Sequence, residues 1–329
     1  MMEFLTQPFL GEAVWVWGAL LTFVTTVLAL DLGVFNKKDH VIEMKESLKL
    51  ASIYISFGVM FGLWVWYRNG SDMAMDYYTV YILEQTLSLD NLFVMSIIFA
   101  SFSIPREYQH RLLVYGIIGV VILRGATIAA GAALVQEYSW ILLLFAAFLF
   151  FTGLKLFFVA GEEEREDFSQ KPIARFLAKH LRVTSNLHGK KFFVKVTPEN
   201  GVGKAVLHAT PMFLALVIIE FTDLLFAFDS VPAALAITTN PYIVFTANIF
   251  AILGLRAIFF AMEHIIHRFV YLKYSLAILL MFIAGKVFYT QIMDEHIPAA
   301  LSLGLTVAIL GGGIMASLLR TKKNEPVQH

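Results

Sequence analysis

The 329-residue sequence contains no cysteine, so disulfides, thiolate metal sites and thiol redox chemistry are excluded. Charge is also scarce. Asp, Glu, Lys and Arg make up 15% of residues, against about a quarter in soluble domains. The 25 basic and 25 acidic residues cancel, which leaves no electrostatic footprint for nucleic acid. The first residues, Met1-Met2-Glu3, lack the positive n-region of a signal peptide, so the first apolar run is expected to be kept as a helix.

What remains is apolar: 58% hydrophobic and 14% aromatic residues, with a mean hydropathy of +0.72. A soluble domain of this length exposes roughly a quarter of its chain's surface, too much to hide such a composition from water. Apolar runs of about 20 residues, enough to cross about 30 Å of hydrocarbon, lie near 13–36, 47–67, 77–100, 111–135, 139–160, 209–237, 242–263, 272–291 and 297–319. The expected fold is an all-α polytopic membrane protein, one membrane domain over residues 1–329 with about nine transmembrane helices. The segment 161–207 is the one sizeable loop.

Lys and Arg concentrate in the segments after helices one, three, five and seven and in the carboxyl tail, which hold 20 of the 25. The alternate loops hold only Arg68. By the positive-inside rule the amino terminus is expected outside, the carboxyl terminus in the cytoplasm, and 161–207 is a cytoplasmic loop. The other four, Arg124, Lys155, Arg256 and Lys286, fall inside predicted helices.

Six acids do the same: Asp31, Glu84, Asp90, Glu220, Asp223 and Asp229. Each such group costs at least about 2.5–3.5 kcal/mol to insert, and such groups usually pair or line an ion path. Taken as charged, the ten sum to minus two, a bias toward cations or protons. They also repeat. Glu84 and Asp90 stand six apart, as do Asp223 and Asp229; Leu123-Arg124 matches Leu255-Arg256, and Gly153-Leu-Lys155 matches Gly285-Lys286. The offset falls from 139 at the acids to 132 at the arginines and 131 at the lysines, as a shorter connecting loop would produce.

Helix three enters from outside and helix six from inside, so the repeat is inverted: helices three to five (77–158) against helices six to eight (216–289), with 297–319 left as the last span. Inverted three-helix repeats with charges near the midplane are a recurrent design of secondary transporters. Buried ion pairs also serve merely to fix helix register, but matched acids, arginine and lysine in both halves favour a pathway. Helical spacing puts Glu84, Ser88 and Asn91 on one face, with Asp90 off it. The second half copies this with Glu220, Asp223 and Ala227 on a stripe and Asp229 off it. Either the helices unwind at Asp90-Asn91 and at Asp229-Ser230-Val231-Pro232, or the off-face aspartates meet the arginines; Pro232 favours a break in helix six.

The phrases Ala29-Leu-Asp31-Leu-Gly33-Val-Phe35, Glu84 through Asn91, and Glu220-Phe-Thr-Asp223 through Asp229-Ser230-Val-Pro232-Ala closely resemble the TerC/Alx family of bacterial inner-membrane proteins, from helix one to helix nine. The resemblance implies a cation exporter built from inverted three-helix repeats, with manganese as cargo and older associations with tellurium resistance and redox or pH stress. Carried over, it implies a metal site of Asp31, Glu84, Asp90, Asn91, Asp223, Asp229 and Ser230, with Glu220 at its edge. Tyr81 stands where an acid matching Glu220 would be, so the half-sites are not equivalent. Oxygen donors without sulfur independently suit manganese, magnesium or calcium.

Arg124, Lys155, Arg256 and Lys286 are expected to act as internal counter-ions that hold the empty site and yield to the metal. No enzymatic constellation is present, so transport rather than catalysis is expected, with no resident cofactor, the bilayer and the metal ion as partners, and protons as the natural coupling ion. The rivals are a non-transporting component of a stress-response complex and an exporter of another small solute. The solute reading gains if the arginines open onto a cavity instead of touching the acids. The acidic run Glu162–Asp167 and the pair His264 and His267 read as solvated or interfacial, and Gly311-Gly312-Gly313 as a packing surface.

Overall fold

A computed structural model describes residues 7–10, 12–30, 44–138, 140–159, 176, 181–184, 186–196, 205–262, 271–293, 295 and 297–324. These residues form nine helices: α1 (Val14–Leu30), α2 (Met44–Asn69), α3 (Ser71–Ser101), α4 (Arg106–Glu137), α5 (Ile141–Val159), α6 (Pro211–Ile237), α7 (Pro241–Met262), α8 (Leu272–Met293) and α9 (Ala299–Asn324). Helices α2 to α9 are eight segments long and apolar enough to cross a membrane. The ninth expected span is shorter than foreseen: α1 covers 17 residues, and 31–36 lie outside the described residues.

Helix ends follow local chemistry. Proline opens α6 and α7, where its missing N–H would be unsatisfied in any case. Asn240 caps α7, its Oδ1 accepting the backbone N–H groups of Tyr242 and Ile243 at 3.0 and 3.4 Å. Gly70 alone joins α2 to α3, with a φ of +92° that favours glycine. Helices α3 and α4 start at Ser71 and Arg106, ahead of the apolar runs that announced them at 77 and 111. A helix continues past the hydrocarbon as long as its backbone bonds stay paired, so polar first turns do not end it.

The core forms around α7, which is buried along nearly its whole length and packs against α2, α3 and α4. Helix α4 lies along α6, and α3 touches α6 near the middle of the bundle. The most extensive contact is α5 on α8. A methyl group at Gly153 would come 2.8 Å from the Ala277 carbonyl oxygen, so glycine permits that approach. Helix α9 closes on α8 and α3. Tyr77 and Tyr78 on α3 donate to the carbonyls of Gly58 and Val59 on α2 at 2.9 and 2.8 Å, and the rings of Tyr81 and Tyr78 fill the notches left by Gly58 and Gly62. Large apolar side chains such as Ile122, Phe151, Phe158, Phe228 and Leu319 remain exposed on the outside, a surface suited to lipid.

Two antiparallel hairpins are the sheet structure among the described residues. Strands β1 (Pro8–Phe9) and β2 (Glu12–Ala13) precede α1; β3 (Phe193–Val196) and β4 (Val206–Ala209) precede α6, with Phe193 opposite Ala209 and Val196 opposite Val206. Most of the acidic and basic loop, with Glu263, His264, His267 and Arg268, lies outside the described residues. The break expected at Pro232 does not occur: α6 runs unbroken through it, and α3 runs unbroken through Asp90-Asn91. Proline removes one backbone hydrogen bond, but Ser230 to Leu235 are all buried, and packing on that scale holds the turn.

Candidate functional site

Three helices bring their polar residues together at the centre of the bundle. Helix α4 contributes Arg124, 2% exposed; α3 contributes Glu84, 1% exposed; α6 contributes Asp223 and Ser230, 3% and 1% exposed. The guanidinium grips Asp223 through two nitrogens, Nε to Oδ2 and Nη2 to Oδ1, both at 3.2 Å. Its Nη1 donates to Glu84 Oε2 at 2.9 Å and to Ser230 Oγ at 2.8 Å. A planar fork suits this task better than an ammonium, because it serves two carboxylates at once. With all three groups ionised the cluster carries minus one. Taking ions out of water costs several kcal/mol apiece, and only close, hydrogen-bonded geometry of this kind offsets it.

The cluster is sealed. Asn91, buried, lines a crevice with Thr222 and Asp223 that has no room for a water molecule. On the other side of Asp223 an apolar cavity bounded by Gly116, Val120, Ile219 and Ile252 measures ≈ 20 Å³, space for about one water. Glu220, one turn before Asp223, lies against the notch made by Gly116 and Gly119 of α4, where any side chain on Gly119 would strike its carboxyl group. Neither Glu220 oxygen has a hydrogen-bond partner. Leaving a buried polar group unmet costs about 1–3 kcal/mol, and more when it is charged.

Other residues expected at the site sit elsewhere. Asp229 is half-buried and makes a long 3.5 Å contact from Thr152 Oγ1, with Lys155 of α5 nearby but exposed. Lys286 lies away from the central acids. It lines a cavity of ≈ 560 Å³ at the end of the bundle where α3 begins and α6 ends, together with Asp72 and Asp76. Asp31 and the side chains of Asp90 and Arg256 lie outside the described residues. No three His, Cys, Asp or Glu side chains come together as a metal-holding group among the described residues.

Two residues lie outside the set that sequence singles out. Asp76 precedes the apolar run that begins at 77, although Asp72, Asp76 and Glu84 stand at multiples of four and share a helix stripe. Asn248 of α7, wholly buried, carries no charge; an amide amid an apolar run is its signal.

The chain matches the model of the integral membrane protein TerC family over residues 69–325. It is 44% identical over 304 residues to an uncharacterized membrane protein of Rickettsia bellii, covering 92% of this chain and 97% of that one. A membrane protein of Myxococcus xanthus is 39% identical over 307 residues, covering 93% and 92%. A Photorhabdus laumondii protein named Alx, described provisionally as a membrane-bound redox modulator, is 40% identical over 303 residues, covering 89% and 91%. No solved structure matches.

Proposed function

The chain belongs to the TerC family of integral membrane proteins, and from that premise we propose that it is a secondary transporter moving a divalent metal cation across the bacterial inner membrane by alternating access. Manganese is the cargo that the family resemblance implies, with export as the direction. The observation that carries the reading is the Arg124 cluster: two buried acids from different helices hold one cation, and none of the three side chains is more than 3% exposed. Arg124 occupies the place that cargo would take. A divalent ion displacing it would bring Glu84 and Asp223 the same partnership with more charge, supplemented by Ser230 and Asn91. The paired arginine withdraws support from an anion exporter, which needs a cation free to receive its substrate.

The inverted repeat rests on the matched residues of the two halves and on the orientation that the positive residues imply. Exchanging α3, α4 and α5 with α6, α7 and α8 turns the contact of α3 on α7 into that of α6 on α4, and both are present, but the contact of α5 on α6 has no comparable counterpart of α8 on α3 among the described residues. Glu84 and Asp223 are matched positions in that exchange and meet at the same guanidinium. Orientation follows the positive residues, with the amino terminus periplasmic and the carboxyl terminus cytoplasmic. The cavity of Asp72, Asp76 and Lys286 then opens to the periplasm as the release side. Carboxylates that carry a metal one way can carry protons back, so proton exchange is the coupling proposed. A redox-modulator reading rests on the name of some relatives, and in a chain without cysteine it has no thiol chemistry to offer.

Uptake into inside-out vesicles tests the proposal, comparing manganese, magnesium, calcium and zinc with and without an imposed pH gradient. Manganese uptake that the gradient accelerates is expected. Absence of uptake for all four ions would contradict it.

A further inference from the structure

Helix α1 meets the bundle through aromatic rings. Trp17 lies against Tyr242 and Phe245 of α7, with centroids 5.2 and 5.3 Å apart, and Phe23 lies against Phe57 of α2 at 5.6 Å. Beside these contacts α1, α2 and α7 leave an apolar groove of ≈ 410 Å³, within the usual range of small-ligand sites, about 300–1,000 Å³. Along α1 it runs from Trp15 to Phe23, about 12 Å at a rise of about 1.5 Å per residue, which is less than half of the roughly 30 Å of hydrocarbon. Trp15 and Met60 on its walls are exposed, so the groove is open to the surrounding lipid. One end carries charge. The guanidinium of Arg68 lies 5.7 Å over the ring of Trp15 and 5.3 Å over that of Trp64, and both rings line the groove. Its Nη2 donates to Glu12 Oε2 at 3.0 Å, and the Arg68 side chain is still 34% exposed. Tyr242, also in the lining, is within electrostatic reach of both charges. The lining at the far end, Phe23, Phe57 and Phe250, is wholly aromatic.

We propose that this groove holds one phospholipid with a primary-amine headgroup: an acyl chain between α1 and α2, the phosphate on Arg68 and the ammonium on Glu12. Tryptophan concentrates where hydrocarbon meets headgroups, so Trp15 and Trp64 set the charged pair at headgroup level and the groove below it at the depth of the chains. A guanidinium fork suits phosphate oxygens, and a carboxylate accepts the N–H groups of an ammonium. The pair sums to zero, as the zwitterionic headgroup does. An anionic headgroup without an amine would leave Glu12 facing a phosphate, and a choline headgroup has no N–H to donate. In the orientation proposed above, the lipid comes from the periplasmic leaflet. It joins α1 to α2 where no side chain fills the space, and it does so whatever the protein transports.

The test is native mass spectrometry of the purified full-length protein, incubated in detergent micelles with equal amounts of phosphatidylethanolamine, phosphatidylglycerol and phosphatidylcholine. One phosphatidylethanolamine per chain is expected to be retained, at least about tenfold over either competitor, the factor that one hydrogen bond to a charged group supplies. Arg68→Gln should weaken that retention by at least about tenfold through loss of the phosphate contact. Ala19→Trp places a ring in the groove and should remove the adduct. Glu12→Gln should raise phosphatidylglycerol to the level of phosphatidylethanolamine or above, because Arg68 then stands without its counter-charge. That switch decides alone if Ala19→Trp does not fold. No retained lipid, equal retention of the three lipids by the wild type, or an adduct that survives in folded Ala19→Trp would each overturn the assignment. A protein dimer that Ala19→Trp disperses, with no lipid adduct, would overturn it in favour of a second copy as the occupant.

Discussion

Arg124→Leu is expected to cost about 3–5 kcal/mol of stability, the usual penalty for removing one partner of a buried ion cluster, and to abolish cation transport. The side chain is enclosed, and its removal leaves Glu84 and Asp223 facing each other across a space closed to solvent. Arg124→Lys should recover part of the stability, because an ammonium can neutralise one carboxylate but cannot reproduce the fork that spans both. Neutralising the acids with Glu84→Gln and Asp223→Asn in the Arg124→Leu background should restore most of the lost stability and none of the transport. Thermal unfolding in detergent together with vesicle uptake distinguishes these outcomes. A stable and active Arg124→Leu protein would show that the cluster is incidental.

The second large effect is expected from Asp223→Asn, a loss of at least about 100-fold in manganese uptake. Residues one shell removed from a metal typically change affinity by about 10–100-fold, and a ligand that also loses its charge should exceed that range. Stability should change less, since the amide oxygen can still accept one guanidinium N–H. Asp229→Asn provides the comparison. Sequence spacing treats the two aspartates as members of one motif, yet Asp229 contacts Thr152 at 3.5 Å and does not touch Arg124. Its neutralisation should therefore reduce uptake less than that of Asp223.

Much of this arrangement could be read from residue order alone. Nine spans are expected from the length of the apolar runs, because the bilayer fixes the length of helix it requires, and eight of them are long and apolar enough to cross among the described residues. The family resemblance implies Glu84 and Asp223 in one site, and Arg124 is one of four basic residues expected as counter-ions. The pairing across α3, α4 and α6 was not predictable in detail. Period and spacing give the face of a helix but not the helix opposite, so sequence could not say that Arg124 would take Asp223 and Glu84 while Lys286 went to Asp76. Pro232 misled for a related reason. Its effect on an isolated helix is a break, whereas in α6 the buried neighbours from Ser230 to Leu235 hold the turn in place. Asn248 does not stand out in a reading that weighs charge alone, although burying an uncharged amide also has a cost unless it finds a partner.

The central claim is that Arg124 holds the place of the transported ion. Determining the structure of the manganese-loaded protein tests this most directly. The account predicts a manganese ion bound by Glu84 and Asp223, supplemented by Ser230 and Asn91, with the guanidinium of Arg124 released from Asp223. Manganese bound elsewhere while Arg124 still bridges Glu84 and Asp223 would contradict it.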